Sequence, residues 1–401
     1  MSGWSGVVVV GPLEEFAEGF RAELAGLGYA SRSSEAQLGL MKHVSRWLSA
    51  QGLAAGDLTT EVADRFVADR RRSHRSLRSW RALAPLLSYL RSRGAVPPAS
   101  VVVVTEPADV LLERFSSYLS RERGLAAATV RSYVSQVRPF VVGHVDAGWG
   151  ALTDRHVAWF VTERSVGQRP RSVAVGVNAL RALLRWMWRE GVVSSPLLAD
   201  AVGKVAAPAS NVPRRALSRG EIADLVAGLP DGPVRLRNEP LLALMWRLGL
   251  RAGEVGALRL EDIDWRDGVL LVRGKRRRLD HVPLPVDVGR LLAGYLSRGR
   301  PRGSAHREVF LAFDAPHRPL GAAAVSSIAA RALADAGIAG RGAAHRLRHT
   351  AACGVLAAGG GLVEVGQLLR HSSPETSAIY ARSDDAALAV LARPWPTEVT
   401  R

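Results

Sequence analysis

The chain has 401 residues with a formal net charge of +17, and hydrophobic residues make up 47% of it. At about 100–200 residues per domain this length predicts two to four domains, and the hydrophobic content excludes a disordered chain. The apolar runs are shorter than the ~20 residues of a membrane span, no secretory signal is recognisable, and the single cysteine excludes a disulfide framework. We therefore expect a cytoplasmic protein without a membrane partner.

Positive charge is spread along the whole chain rather than gathered in a tail. The excess is +4 in residues 1–104, +4 in residues 105–210 and +9 in residues 211–401. Such a distribution is typical of a protein that wraps double-stranded DNA, because basic side chains that neutralise phosphates release the counterions bound there. The alternative is a surface of solvated arginines. Only three of the 54 basic residues are lysines, so a lysine inside a motif is informative.

Two helical segments, residues 1–104 and 105–210, come first in the chain. In both, apolar residues recur at the three- and four-residue spacing of an amphipathic helix. Proline-containing stretches at 97–98 and 206–213 interrupt this spacing and indicate linkers after each segment.

The two helical segments also resemble each other. A Leu-Thr pair at 58–59 recurs at 152–153, and an aromatic residue follows at Phe66 and again at Phe160. We predict two tandem copies of one small helical module, with a chance likeness between two leucine-rich segments as the alternative.

The third segment, residues 211–401, is predicted to be a mixed α+β domain. Ser218 and Glu221 have the spacing of a capping box at a helix start. Residues 269–272 and 281–284 are predicted as strands that flank a basic turn, and residues 309–311 as an extension of this small antiparallel sheet. Helical spacing recurs at 241–250, 322–336, 346–358, 362–369, 376–380 and 384–391. The whole chain is therefore predicted to be mostly α.

The third segment also contains the side chains needed to break a phosphodiester without a metal ion. Such a reaction needs a hydroxyl nucleophile, permanently charged donors for the non-bridging oxygens, and a proton for the leaving oxygen. Arginine supplies the charged donors, whereas lysine or histidine supplies the proton because arginine holds its own too tightly. The candidates are Arg251, Lys275, His345, Arg348, His371 and Tyr380.

The spacing of these candidates supports one shared site. His345 and Arg348 lie three residues apart and share a helix face, so both can point into a cleft while Leu347 packs behind them. His371 stands just before a predicted helix start, and Tyr380 stands at the end of that short helix.

These motifs resemble those of the tyrosine recombinases, also called the phage integrase family. In chain order the matching residues are Arg251 in GLRAGEV, Lys275 in RGK, His345 and Arg348 in HRLRH, then His371, and Tyr380 nine residues later. The chain as a whole is similar to recombinases carried by mobile elements. The resemblance implies SAM-like helical DNA-binding modules before an α+β catalytic domain, with the first module extra to the family's two-domain pattern.

The resemblance implies a role for each candidate. Tyr380 would attack the scissile phosphate and form a 3′-phosphotyrosyl link. Lys275 would protonate the leaving 5′ oxygen, and His345 would assist proton transfer with the tyrosine. Strand exchange would follow when the 5′-hydroxyl of a partner strand attacks the link.

The other predicted residues would hold the phosphate or its neighbours. Arg251 and Arg348 would clamp the non-bridging oxygens, and His371 would hydrogen-bond the phosphate. Glu254 would support the turn that carries Arg251, and His349 is expected as a buried neighbour. Arginines around the hairpin lysine are expected to contact DNA: Arg273, Arg276, Arg277 and Arg278.

No metal, ATP or other cofactor is implied, because one phosphoester replaces another. The expected partners are double-stranded DNA and further copies of the chain, as a tetramer on DNA in the nucleoid. His345 and His349 have the spacing of a zinc pair, but the arginines at 346 and 348 would repel a dication.

Three other classes stay open from the sequence: a DNA-binding accessory protein without catalysis, a relaxase similar to type IB topoisomerases, and a metal-dependent nuclease. Two positions depart from the family pattern. Arg276 follows the hairpin lysine where glycine is usual, and Arg370 precedes His371 where glycine is common.

Overall fold

The computed structural model describes residues 7–73, 79–98, 107–146, 148–202, 215–274, 278–340 and 342–370. Over these ranges the protein is mostly helical with one three-stranded sheet, as the sequence predicts. None of the helices described is both long and apolar enough to cross a bilayer. Ala99–Val212 form one compact unit, and Met1–Pro98 together with Pro213–Arg401 form the other.

The four N-terminal helices enclose a hydrophobic core of their own. Phe20, Met41 and Leu48 are fully buried in it, so the apolar spacing of the sequence falls on the inner helix faces. The helices are α1 (Ala17–Gly26), α2 (Ser31–Ala50), α3 (Thr60–Ser73) and α4 (Trp80–Ser92), with 3₁₀ turns at Glu14–Phe16 and Ala55–Asp57.

The next four helices, which belong to the unit Ala99–Val212, enclose a second core. Phe115, Phe140 and Trp186 are buried there, and the rings of Phe115 and Trp186 lie 5.4 Å apart. The helices are α5 (Pro107–Arg121), α6 (Ala127–His144), α7 (Asp154–Ser165) and α8 (Pro170–Arg189), with 3₁₀ turns at Trp149–Ala151 and Pro196–Ala199.

Both helical segments contain the same order of elements: two helices, a 3₁₀ turn and two further helices. The Leu-Thr pairs at 58–59 and 152–153 stand at equivalent places, immediately before α3 and α7. Phe66 and Phe160 lie in these two helices; Phe66 is buried in the core of its segment, and Phe160 is half-buried against the core of its own. This agreement favours the predicted repeat, which stays a prediction together with the boundaries at 104 and 210.

The C-terminal part of the chain contains seven described helices around the largest core. Tyr295 and Phe310 stack at 5.5 Å within it. Ser218 and Glu221 form the predicted capping box, in which each backbone N–H donates to the other side chain at 2.8 and 3.1 Å. The helices are α9 (Arg219–Ala227), α10 (Pro233–Arg247), α11 (Ala252–Ala257), α12 (Val286–Arg298), α13 (Ala322–Asp335), α14 (Ala343–Ala357) and α15 (Leu362–Leu369).

The sheet is antiparallel in the order β1 (Ile263–Asp264), β2 (Val269–Arg273) and β3 (Leu279–Pro283). The predicted hairpin is confirmed, and it closes where the N–H of Gly274 donates to the carbonyl of Arg278 at 2.8 Å. The prediction that residues 309–311 extend the sheet is wrong, because the sheet consists of β1, β2 and β3, and Leu311 instead forms an isolated antiparallel bridge with Pro319. Residues 309–311 are buried in the core, and their backbone pairs with Leu258 and with residues 319–320 rather than with the sheet.

The predicted helix at 362–369 is confirmed as α15, whereas the predicted helix at 241–250 differs at both ends. The helix found at the second position, α10, begins at Pro233, and it continues through Pro240 because the residues that follow are buried. It ends at Arg247, since Gly249 has a positive φ of +62° that stops a right-handed helix. The helices predicted at 376–380 and 384–391 lie outside the described residues.

Candidate active site

Arg251 lies in the predicted turn, immediately before α11. The chain reverses at Gly249, whose φ of +62° is a conformation that favours glycine. A Cβ at Gly249 would stand 2.6 Å from Cδ2 of Leu369, closer than side chains can approach. Glycine is therefore required at this position for two reasons: it adopts the positive φ, and it leaves room for Leu369. Both allow the turn to bring Arg251 close to α14 and α15.

The buried carboxylate of Glu254 orients Arg251. Its Oε1 accepts a hydrogen bond from Nη1 of Arg251 at 2.5 Å, and its Oε2 accepts one from the backbone N–H of Arg251 at 2.8 Å. Burial raises the pKa of Glu254, but the Arg251 N–H and the positive charges of Arg370 and Arg251 outweigh burial and lower this pKa. Glu254 is thus ionised and bound at both oxygens.

Arg348, on α14, is the second arginine of the site; it is buried, and backbone carbonyls anchor it. Its Nη1 donates to the carbonyl of Gly249, and its Nη2 donates to the carbonyl of Leu369 at 2.5 Å. The same Nη1 lies 4.0 Å from Oε2 of Glu254. The guanidinium therefore connects the turn before α11 with the end of α15.

Arg251, His345 and Arg348 line one cavity of about 290 Å³. His345 is exposed on the same face of α14 as Arg348, while Leu347 is fully buried behind them, as the spacing predicts. The other lining residues are small: Ala252, Ser326, Ala330, Gly342, Ala343 and Ala344. Two guanidiniums and an imidazole around such a cavity suit a tetrahedral anion, because arginine is a planar, permanently charged donor for phosphate oxygens.

The other two basic residues of the α14 motif, Arg346 and His349, contact protein groups. Arg346 donates to the carbonyls of Arg215 and Ala339 at 3.0 and 2.9 Å. His349 is buried, and its Nε2 lies 3.5 Å from Sγ of Cys353. Among the residues that the structure describes, no group of three or more His, Cys, Asp or Glu side chains is arranged to hold a metal ion.

The hairpin arginines that the structure describes are paired with carboxylates. Arg273 forms an ion pair with the buried Asp262, and Nε of Arg278 donates to Asp280 at 2.8 Å. Their contact with DNA stays a prediction. Three further predicted catalytic residues and two predicted DNA contacts lie outside the described residues, so the structure does not place them: Lys275, His371 and Tyr380, and Arg276 and Arg277.

Arg370 is the site neighbour that reasoning from the sequence missed. In the sequence it stands out only as an arginine where the family pattern favours glycine. In the structure it is 9% exposed, and its Nη2 donates to Oε2 of Glu254 at 2.8 Å. The sequence did contain one signal for this role: a charged residue stands where glycine usually ends a helix, and such a residue needs a compensating contact.

Comparisons of sequence support the motif assignment. Residues 215–387, which contain all six candidate residues, match the model of the Phage integrase family, and residues 112–191 match its N-terminal SAM-like domain. A Sinorhizobium fredii (strain NBRC 101917 / NGR234) protein described as an integrase/recombinase, y4rA, is 34% identical over 97% of this chain and 96% of its own length. Tyrosine recombinase XerD of Xanthomonas axonopodis pv. citri (strain 306) is 32% identical over 69% of this chain and 93% of its own.

Solved structures share the fold. The recombinase XerH in a post-cleavage complex with its difH substrate has a TM-score of 0.56 and 19% identity, over 70% of this chain and 83% of its own. A lambda integrase dimer bound to a COC′ core site has a TM-score of 0.52 and 21% identity, over 73% of this chain and 99% of its own. The chain belongs to the phage integrase family of tyrosine-type site-specific DNA recombinases, and the resemblance drawn from its motifs is confirmed.

Proposed function

We propose that this recombinase cleaves and rejoins double-stranded DNA through Tyr380. The tyrosine oxygen bonds to the scissile phosphorus, the bond to the 5′ oxygen breaks, and the 5′-hydroxyl leaves with a proton. A 5′-hydroxyl from a partner strand then attacks the 3′-phosphotyrosyl link and releases the tyrosine. One phosphoester replaces another in each step, so the chemistry consumes no ATP and calls on no metal ion.

The observation that carries this proposal is the convergence of Arg251, His345 and Arg348 on one cavity. Negative charge develops on the non-bridging oxygens as the tyrosine attacks, and fixed donors stabilise this charge best. Both arginines are fixed in advance, Arg251 by Glu254 and Arg348 by two carbonyls. His345, exposed on the same helix face, is proposed to exchange the proton of the tyrosine.

Lys275 and His371 complete the proposed site. Both lie within the family match at 215–387 and stand in the order and spacing of its motifs. We assign proton donation to the 5′ oxygen to Lys275, because a lysine can release its proton whereas an arginine cannot. His371 is assigned a hydrogen bond to the phosphate. Arg276 and Arg277, beside the lysine, are assigned contacts with neighbouring phosphates.

The proposed assembly is a tetramer on two duplexes. Exchange of both strands between two duplexes requires four cleavages, and four copies supply one nucleophile for each. The helical segments at 1–104 and 105–210 are proposed to hold one side of the duplex while the C-terminal part holds the other. Such a protein would reside on the nucleoid, where its substrate is.

A trapping assay tests the proposal. The full chain is incubated with a pool of nicked suicide duplexes of varied core sequence, and the expected product is a DNA adduct that survives denaturation. Tyr380→Phe should abolish this adduct, Tyr133→Phe in the middle segment should retain it, and mass spectrometry should map the DNA to residue 380. EDTA should have no effect.

Other outcomes of the same experiment would point to another function. DNA binding without an adduct would indicate an accessory protein. Relaxation of supercoiled plasmid without any preferred site would indicate a relaxase similar to type IB topoisomerases. Cleavage that EDTA abolishes would indicate a metal-dependent nuclease.

A further inference from the structure

Arg370 occupies a position where an arginine is unfavourable on two counts. It ends α15 in the left-handed conformation, with φ 52° and ψ 49°, which favours glycine and which other residues rarely adopt. Its side chain is also buried, with 5% of its surface exposed, although burial of a guanidinium is costly unless it is paired. A residue with both costs persists where the surrounding structure compensates for them.

Two of the three side-chain contacts of Arg370 are with groups of the candidate active site. Its Nη2 donates to Oε2 of Glu254 at 2.8 Å and lies 3.4 Å from the carbonyl of Gly249, which also accepts from Arg348. Its Nη1 donates to the carbonyl of Leu368 at 2.9 Å. Arg370 does not line the cavity itself, so its effect on a bound phosphate would pass through these groups.

The charges of this cluster show what the third arginine adds. Arg251, Arg348 and Arg370 surround the single carboxylate of Glu254, which leaves two positive charges in surplus for an anion. Oε2 of Glu254 is occupied by Arg370 at 2.8 Å, while Arg348 lies 4.0 Å away and is held by its carbonyls instead. Without Arg370, the carboxylate would attract Arg348 away from these carbonyls.

We propose that Arg370 is a positioning residue that binds Oε2 of Glu254 and thereby holds both Arg251 and Arg348 in place for the scissile phosphate. The inference rests on the proposed function, since its effect on rate presupposes cleavage in this cavity. It assigns a role to a position that the sequence marks only as an arginine where the family pattern favours glycine.

Rates of adduct formation with the nicked suicide duplexes test this role. Arg370→Gly fits the backbone of this turn and removes the guanidinium, so it should slow adduct formation about 10- to 100-fold, as displaced catalytic groups do, with DNA affinity changed less than about threefold. Arg370→Lys keeps the positive charge but loses the paired N–H donors of the guanidinium, so its rate of adduct formation should lie between those of Arg370→Gly and wild type. Arg307→Gly, which removes an exposed arginine from a surface ion pair, should cleave at the wild-type rate.

Two further measurements separate positioning from a general loss of structure. If Arg370 acts through Glu254, adding Arg370→Gly to Glu254→Gln should slow adduct formation little beyond the rate of Glu254→Gln alone. If the two rate losses instead multiply in the double variant, the proposal is contradicted. Millimolar guanidinium chloride should restore part of the rate of Arg370→Gly relative to the same concentration of sodium chloride. A wild-type rate in Arg370→Gly would overturn the proposal outright.

Hydrogen exchange without DNA keeps the inference testable even if the wild-type chain forms no adduct. The N–H of Arg251 donates to Glu254, so its exchange reports the position of this carboxylate. Arg370→Gly should speed exchange in the peptide containing Arg251 about tenfold and leave α12 unchanged. Equal exchange in both proteins would refute the positioning role independently of the chemistry.

Discussion

Replacement of Gly249 by alanine perturbs the turn on which both arginines of the candidate site depend. Its φ of +62° costs a residue with a Cβ about 1–2 kcal/mol. The new Cβ would stand 2.6 Å from Cδ2 of the fully buried Leu369, and overpacking of this kind costs about 1–3 kcal/mol. Gly249→Ala should therefore lower the free energy of unfolding of the C-terminal part by about 2–5 kcal/mol.

Gly337→Ala is the matched control for this experiment. Gly337 has a φ of +72°, and a Cβ there would have no atom within 4 Å, so its substitution carries only the backbone cost of about 1–2 kcal/mol. Urea unfolding, with hydrogen exchange of peptides from α14 and α15, measures the difference between the two variants. Equal destabilisation would refute the close packing of Leu369 on this turn.

Four further predictions concern residues elsewhere in the chain. Lys275→Ala should slow adduct formation about 100-fold or more with DNA affinity nearly unchanged, whereas equal losses in both would argue against proton donation. Ser218→Ala should destabilise α9 by about 1 kcal/mol in urea unfolding. Because folding lowers the pKa of Glu254, its ionised carboxylate stabilises the fold at pH values above the ordinary pKa of glutamate, and this stabilisation is lost as the pH falls. Glu254→Gln should therefore be less stable than wild type at pH ~7, with the difference shrinking below pH ~4. Deletion of residues 1–104 should weaken DNA binding in gel-shift assays while circular dichroism shows the rest folded.

Features set by neighbouring residues could be predicted from the sequence. Helix α15, the capping box of Ser218 and the hairpin between β2 and β3 follow from local spacing, and all three are found. The shared face of His345 and Arg348 follows from helical geometry, because residues three apart lie side by side. The roles of these residues in cleavage stay predictions.

Features set by distant residues could not be predicted in this way. Helix α10 continues through Pro240 because its neighbours pack into the core, which local rules for proline do not include. Residues 309–311 have the composition of a strand, yet they form no strand of the sheet, and Leu311 pairs with Pro319 in an isolated bridge. The bond between Arg370 and Glu254 joins residues 116 positions apart, so no local pattern contains it.

Each hydrophobic core in the described part of the chain closes within its own stretch of sequence. The buried residues of the three large cores fall at 9–96, 108–202 and 217–347. A chimera whose crossover points fall at 99–106 and 203–214 would therefore divide none of them. Exchange of the middle segment between relatives would therefore leave the two flanking cores and the arginine cluster around Glu254 intact.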